Sequence, residues 1–185
     1  ATVGAGSYAG SVGAIGDSIS IAVSLVNTTI DNTIKASLNG SNVTANDITV
    51  QARETNNVDT DAQATAVATN LSLGGLTLAG GGAENVVTIT NTVEAEIIGN
   101  NTGDVVKAHE DVLVDAESNT TVDAEVGVVS VAAGVFSLAA SGGVVNVTAT
   151  PTVRANTDTV TINADNVTVD SDATFGIQGD AFGVT

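Results

Sequence analysis

Two pairs of alternating aspartates are the residues whose spacing best fits a chemical role. Asp59 and Asp61 lie in the motif "DTD", and Asp170 and Asp172 lie in "DSD". Because alternate residues of a β-strand point to the same side, each pair could offer two carboxylates to one Ca²⁺ ion. Neither pair belongs to a twelve-residue helical calcium loop, and a solvated acidic face or turn explains both more simply. Calcium therefore stays open as a ligand, and the sequence indicates no other metal.

The same carboxylates also raise the question of catalysis, because a pair of acids is what a glycosidase needs. Enzymes that act on polysaccharides usually line a groove with aromatic and basic residues. Here aromatic residues make up 2% of the chain, and Lys and Arg together number four. We therefore expect no catalytic carboxylate pair and no enzyme.

Two further features are weak candidates for a functional site. His109 is the only histidine, and with no cysteine in the chain it has no partner for a zinc site or a nucleophilic pair. The glycines of "GAGSYAG", which begins at Gly4, do not have the dinucleotide-binding spacing, and no helical pattern follows them. We expect an exposed loop histidine, a Gly-rich turn and no cofactor.

The charge balance excludes several classes of partner. The chain has 21 acidic residues against four cations and a formal net charge of -17. Such a surface repels nucleic acid and anionic lipid. The apolar content of 43% is high and patterned, so the acidity does not indicate disorder. Trp, Cys and Met are absent, which leaves Val, Ile, Leu and Ala to form a core of closely spaced sheets.

A sequence motif that predicts two short strands occurs three times, and its first strand begins at Thr33, Thr92 and Thr152. In each copy a charged residue stands between two apolar ones. This is an alternation with a period of two, so the charge is expected to face water while its neighbours face the core. The charged residues are Lys35, Glu94 and Arg154, and their apolar neighbours are Ile34, Val93 and Val153 before them and Ala36, Ala95 and Ala155 after them.

Each copy of the motif follows a block that is rich in Gly, Ala, Ser and Val and poor in charge, which gives repeats at roughly 7–61, 62–125 and 126–185. The third block has no charged residue between 126 and 153, which is long enough for a membrane helix. Gly, Ser, Thr and Asn interrupt it and β-branched residues dominate. We expect strands with both faces covered and no membrane span.

Helix-favouring residues are scarce, and Asn-Gly and Gly-Gly pairs separate short β-rich segments. These features predict an all-β chain, 1–185, that forms one continuous β-solenoid, or parallel β-helix, with about three repeats of about 60 residues. Each repeat is expected to make two or three coils of roughly 20–30 residues. A tandem of Greek-key β-sandwiches is the alternative. The chain is interpreted as a fragment or subunit of a longer assembly.

The segments "SIAVSLVNTTIDNTIKASL" and "NVTANDITVQA", with their later copies, resemble the repeats of filamentous-haemagglutinin-like and leukotoxin-type bacterial surface proteins. The resemblance covers nearly the whole chain and implies an extracellular or cell-surface β-solenoid used in adhesion or filament building. The expected function is structural, in a self-associating fibre, sheath or stalk whose partner is another copy or an adjoining repeat. The alternatives are an adhesin segment that binds glycan or mineral through an acidic face with calcium, and an ice-binding solenoid.

Overall fold

A computed structural model describes residues 1–40, 42–100 and 103–185. The described residues form thirteen β-strands and no helix, which confirms the all-β prediction. None of the described segments is a helix of the length and apolarity that crossing a membrane requires. The strands are β1 (Thr2–Gly13), β2 (Ser18–Ile30), β3 (Thr33–Asn39), β4 (Val43–Ala45), β5 (Ile48–Asn70), β6 (Leu76–Ile89), β7 (Thr92–Ile98), β8 (Val105–Ala108), β9 (Asp111–Ala133), β10 (Phe136–Ala149), β11 (Thr152–Asp158), β12 (Thr161–Asn163) and β13 (Asn166–Val184).

The strands form four sheets, and neighbouring strands in every sheet run parallel. Sheet A has the order β1-β5-β9-β13, sheet B has β10-β6-β2, sheet C has β11-β7-β3 and sheet D has β12-β8-β4. The chain therefore visits sheets A, B, C and D in turn and then returns to sheet A beside its earlier strand. Greek-key sandwiches are antiparallel, so the alternative prediction of tandem sandwiches is wrong. The arrangement is consistent with a parallel β-helix or solenoid.

One repeat corresponds to one turn of the chain. Paired residues lie between 55 and 64 positions apart, as Asn166 with Asp111 and Ile48 with Val112 show. The prediction of two or three coils per repeat, with about 20–30 residues in each, is therefore wrong. Its cause is the length of the strands, since β5 and β9 each continue for 23 residues. The alternation of apolar and polar residues continues through these strands, and it does not show whether the chain forms one long strand or several short ones.

The molecule has two layers, with sheet A on one side and sheets B and C on the other. Sheet D follows sheet C, and its Val106 belongs to the same buried cluster as Ile48 and Val112 of sheet A. Alternation decides which side chains lie between the layers: Val50 and Ala52 are buried, whereas Gln51 and Arg53 point outward. The expected inward and outward positions of the repeated motif are also in register, because Lys35 pairs with Glu94 and Glu94 pairs with Arg154. The charge at this position thus alternates in sign from strand to strand.

The core differs between the two ends of the layers. We call the region between sheet B and the second part of sheet A the alanine half, and the region between sheets C and D and the first part of sheet A the valine half. The buried core of the alanine half consists of Ala22, Val26, Ala62, Ala64, Ala66, Ala68, Ala79, Ala83, Val126 and Val128. That of the valine half consists of Ile48, Val50, Ala52, Val93, Ala95, Ile97, Val106, Val112, Val114 and Ala116. A smaller cluster of Val58, Val87, Ile89, Val122 and Ala124 joins them.

The two layers approach so closely in the alanine half that glycine is required at inward positions. A Cβ atom at Gly81 would lie 2.6 Å from Cγ1 of Val128, and one at Gly143 would lie 2.5 Å from Cγ1 of Val126. Real Cβ atoms do not approach other atoms at such distances, so neither position has space for a side chain. The narrow gap explains why this half of the core uses the smallest residues.

The narrow gap also inverts the polarity of β2. Its serines face the core, where Ser20 Oγ donates to the Ala9 carbonyl at 2.8 Å and Ser24 Oγ donates to the Ala5 carbonyl at 3.0 Å. The intervening Ile21 points outward and is 68% exposed. A small hydroxyl with a backbone acceptor fits between the layers, as do Ala22 and Val26 of the same strand, whereas Ile19, Ile21, Val23 and Leu25 lie on the surface.

Candidate functional site

The first aspartate pair lies on the outer face of sheet A, among other acids. Asp59 and Asp61 point outward from β5 and pair in register with Asp123 and Glu125 of β9. Glu125 pairs in turn with Asp180 of β13. One row across sheet A thus holds three carboxylates on adjacent strands, each about 4.8 Å from the next at the backbone. Like charges at this spacing repel one another.

The second pair lies elsewhere on the same face. Asp170 and Asp172 of β13 pair with Asp115 and Glu117 of β9. These rows are about 26 Å along the strands from those of the first pair, at about 3.3 Å per residue. The structure therefore does not bring the two aspartate pairs together. Arg53 of β5 relieves part of the repulsion, since its guanidinium lies 3.2 Å from carboxylate oxygens of both Asp115 and Glu117.

The acidic rows do not form a recognisable cage for a cation. Within residues 1–40, 42–100 and 103–185, no group of three or more His, Cys, Asp or Glu side chains is arranged to hold a metal ion. The Asp61 carboxylate accepts a hydrogen bond from Gln63 Nε2 at 2.7 Å, and that of Asp115 accepts one from Gln51 Nε2 at 2.6 Å. Calcium binding at Asp59, Asp61, Asp170 or Asp172 stays a prediction.

Sheet C carries a small charge network. Lys35 Nζ lies 2.5 Å from Glu96 Oε1 and 3.5 Å from Glu94 Oε2, and Ser37 Oγ donates to Glu96 Oε1 at 3.1 Å. The hydrogen bond from Lys35 is the main reason that the pKa of the Glu96 carboxyl lies below its ordinary value. The same contact raises the pKa of Lys35. The network of Lys35, Ser37, Glu94 and Glu96 links β3 to β7 across their outer side.

His109 is exposed, as the sequence predicted, at the corner between β8 and β9. Its backbone N–H donates to the Ala45 carbonyl at 3.0 Å. The side chain borders an open hollow of about 300 Å³, whose lining also includes Lys107 and Asp165. The remaining residues that line the hollow are Thr44, Ala108, Asn163 and Ala164.

A buried carboxylate was missed by the sequence reasoning. Glu54 is 4% exposed and points between the layers from β5. Its Oε1 accepts from Asn32 Nδ2 at 3.1 Å and its Oε2 accepts from Ser118 Oγ at 3.1 Å. The signal was available, because Glu54 continues the inward series of Val50 and Ala52 at a spacing of two. These two hydrogen bonds join β5 to Asn32, which lies between β2 and β3, and to Ser118 of β9.

The outer side of sheet B is an exposed apolar surface. The expectation that the strands of the block 126–153 have both faces covered is wrong for β10, since Phe136 and Leu138 are each 63% exposed. On the same side of the sheet, Leu25 of β2 is 66% exposed. We call this surface the B face. It comprises Ile19, Ile21, Val23 and Leu25 of β2, Leu76, Leu78, Gly80 and Gly82 of β6, and Phe136, Leu138, Ala140, Gly142 and Val144 of β10. Glu84 lies at one end of it.

Comparisons of the chain with protein-family models, with curated proteins and with solved structures give no match. The geometry itself therefore provides the basis for a functional conclusion. It offers an acidic outer face, an apolar outer face and two ends at which parallel strands stop.

Proposed function

We propose that the chain is a structural protein, a β-solenoid of three coils of about 60 residues that serves as a section or subunit of a fibre, sheath or stalk. The observation that carries the proposal is the open edge of every sheet. At one end β2, β3, β4 and residues 48–56 of β5 each have one edge with no paired strand among the described residues, and at the other end the same is true of β10, β11, β12 and β13.

These two ends are compatible with each other because all the pairings are parallel. In a parallel ladder each strand presents the same hydrogen-bonding pattern on its free edge as the strand before it. A second copy displaced by three coils would therefore place its β2 beside β10, its β3 beside β11 and its β4 beside β12. Such a contact joins different surfaces of the two copies, so it propagates into a fibre.

Sheet A sets a condition on this stacking. The pairings of Thr2 with Asp59, Asp59 with Asp123 and Asp123 with Gln178 put β1 and residues 178–184 in the same lane of the sheet. In a stack, β1 of one copy and residues 178–184 of the copy before it would occupy the same place in sheet A, so only one of the two segments can pair there. Residues 166–177 followed by β1 of the next copy would form a strand of 24 residues, close to the 23 of β5 and β9. Adjoining repeats of one longer chain would satisfy the same geometry.

An extracellular or cell-surface location, in a bacterium, belongs to the same proposal. Its support is the resemblance to bacterial surface repeats and the absence of cysteine from the sequence. The net charge of -17 opposes association at low ionic strength. Salt at about 0.15 M or above reduces the screening length to about 8 Å or less and should favour stacking.

Negative-stain electron microscopy of the purified chain over a range of NaCl and CaCl₂ concentrations tests the proposal. Filaments that lengthen as salt rises, with or without Ca²⁺, are the expected result. A chain that stays monomeric at high concentration and high salt would refute self-assembly of separate copies. Association that appears only with Ca²⁺ would favour the acidic-face adhesin over the simple stack.

A further inference from the structure

We propose that the B face is a self-complementary interface that pairs two copies of this chain side by side. This inference rests on the proposed structural function and adds a lateral partner to the end-to-end one. Ile21, Val23 and Leu25 are each more than half exposed on β2. Contiguous apolar surface of this kind commonly marks a contact with another molecule.

The B face has a relief that fits its own copy. The outward side chains of β2 form a ridge, which consists of Ile19, Ile21, Val23 and Leu25. Beside the ridge, β6 and β10 form a trough of Gly80, Gly82, Ala140 and Gly142. A Cβ atom at Gly80, Gly82 or Gly142 would meet nothing within 4 Å, so the trough is open to solvent.

Ridge and trough lie in the same rows of the sheet. Ile21 pairs with Gly80, which pairs with Ala140, and Val23 pairs with Gly82. A two-fold axis parallel to the strands and about 5 Å outside β6, midway between the two sheets, would lay β2 of each copy over β10 of the other. Ile21 and Val23 of each copy would then face Ala140 and Gly142 of its partner, with the sheets about 10 Å apart. This contact uses one surface twice, so it closes at a pair.

The size of the face explains why pairing needs stacking. Three strands about 4.8 Å apart and nine residues of about 3.3 Å each give roughly 400 Å² per copy. A standard interface takes about 800 Å² from each partner. One chain of three coils therefore provides about half of the usual area, whereas two stacked chains provide all of it. Lateral pairing is expected to be weak between single chains and strong between filaments.

The charge distribution favours a second copy over other partners. Within the B face only the end residue Glu84 is charged, although the chain has 21 acids. The acidic rows of sheet A lie on the opposite layer and would point away from a partner docked on sheet B. Anionic lipid or nucleic acid would instead meet the field of the whole molecule, which is negative.

Four variants of the full chain test the pairing. Gly82→Leu fills the trough with an apolar side chain, and Thr88→Leu adds the same side chain to the outer side of β6 beyond the face. Val23→Lys puts a charge on the ridge, and Thr29→Lys puts the same charge on the outer side of β2 beyond it. Sedimentation equilibrium measures association of single chains, and electron microscopy measures filament width.

The wild type, Thr88→Leu and Thr29→Lys should show dimers at high concentration and filaments two solenoids wide. Gly82→Leu and Val23→Lys should weaken the dimer at least ten-fold and give filaments of single width. If Gly82→Leu associates as well as the wild type or better, the face is only generally sticky and the proposal is overturned. Wild-type filaments of single width would overturn lateral pairing through the B face while leaving end-to-end stacking intact.

Dimers without filaments would support lateral pairing and refute end-to-end stacking of separate copies. A monomer that persists at high concentration would refute both.

Discussion

The alanine half and the valine half share one topology but place their large side chains differently. In the valine half, Val93, Val112 and Val114 fill the space between the layers, and charged residues such as Lys35 and Arg53 lie outside. In the alanine half the layers are closer, so alanine, serine and glycine occupy most inward positions beside Val26, Val126 and Val128, and several larger aliphatic residues lie outside. The spacing of the layers therefore influences which face of a strand is apolar, and the thin core leaves an apolar outer surface on sheet B.

The largest change in the free energy of unfolding is expected when a side chain is placed in the narrow gap of the alanine half. Gly81→Leu would drive a side chain into Val128 and Ser130 and should destabilise the fold by about 3 kcal/mol or more. The adjacent Gly82→Leu points to solvent and should change the free energy of unfolding by no more than about 0.5 kcal/mol. Denaturant unfolding followed by circular dichroism measures both. Equal effects of the two substitutions would contradict the assigned inward and outward faces of β6.

A reciprocal exchange of core residues sharpens the comparison. Val114→Ala removes two methyl groups from the valine half and leaves a cavity, for which we expect a loss of about 1–3 kcal/mol. Ala64→Val adds the same groups to the alanine half and should cost about 1–3 kcal/mol through overpacking. Unfolding midpoints of the two variants test this pair. If Ala64→Val stabilises the protein, the alanine half has space that the structure does not show.

A smaller effect concerns the acids on sheet A. Glu125 lies between Asp61 and Asp180 in one row, so Glu125→Lys should replace two repulsions with two attractions. We expect a gain of about 0.2–1 kcal/mol at low salt that shrinks as salt rises. The double variant Thr121→Lys/Thr65→Lys, with both positions on the outer side of sheet A, raises the net charge by the same two units and is the control. A gain in the control as large as that in Glu125→Lys would show that only total charge matters. If Ca²⁺ stabilises the wild type but not Glu125→Lys, a cation binds in this row.

The smallest effect is the pH dependence of the pair formed by Lys35 and Glu96. Since the pKa of Glu96 is lower in the folded protein than its ordinary 4.5, its contribution is present above about pH 4.5 and is lost as pH falls through the folded value. The contribution of Lys35, whose pKa is raised above 10.5, is lost as pH rises through its folded value. Lys35→Met should raise the pKa of Glu96 measured by NMR. An unchanged pKa would show that the contact is not populated in solution.

The sequence predicted the features that depend on local alternation. The outward position of Lys35, its register with Glu94 and the all-β class follow from a period of two and a repeat of about 60 residues. The coil length could not be predicted, because alternation continues through β5 and nothing in it distinguishes one strand of 23 residues from several short ones. The B face was missed because hydrophobicity alone places Ile21 inside and Ser20 outside, whereas the gap between the layers requires the reverse.

The most direct test of end-to-end stacking uses a cysteine pair, which the absence of native cysteine makes unambiguous. Thr33 and Thr152 are outward residues at opposite ends of one row of sheet C, two strands apart within a copy. That separation of about 9.6 Å is too long for a disulfide, whereas the same residues of stacked copies would lie about 4.8 Å apart. Oxidised Thr33→Cys/Thr152→Cys should therefore form a ladder of covalent multimers, and Thr33→Cys/Asp158→Cys, which is out of register, should not. A double variant that stays monomeric at high salt would contradict the stack.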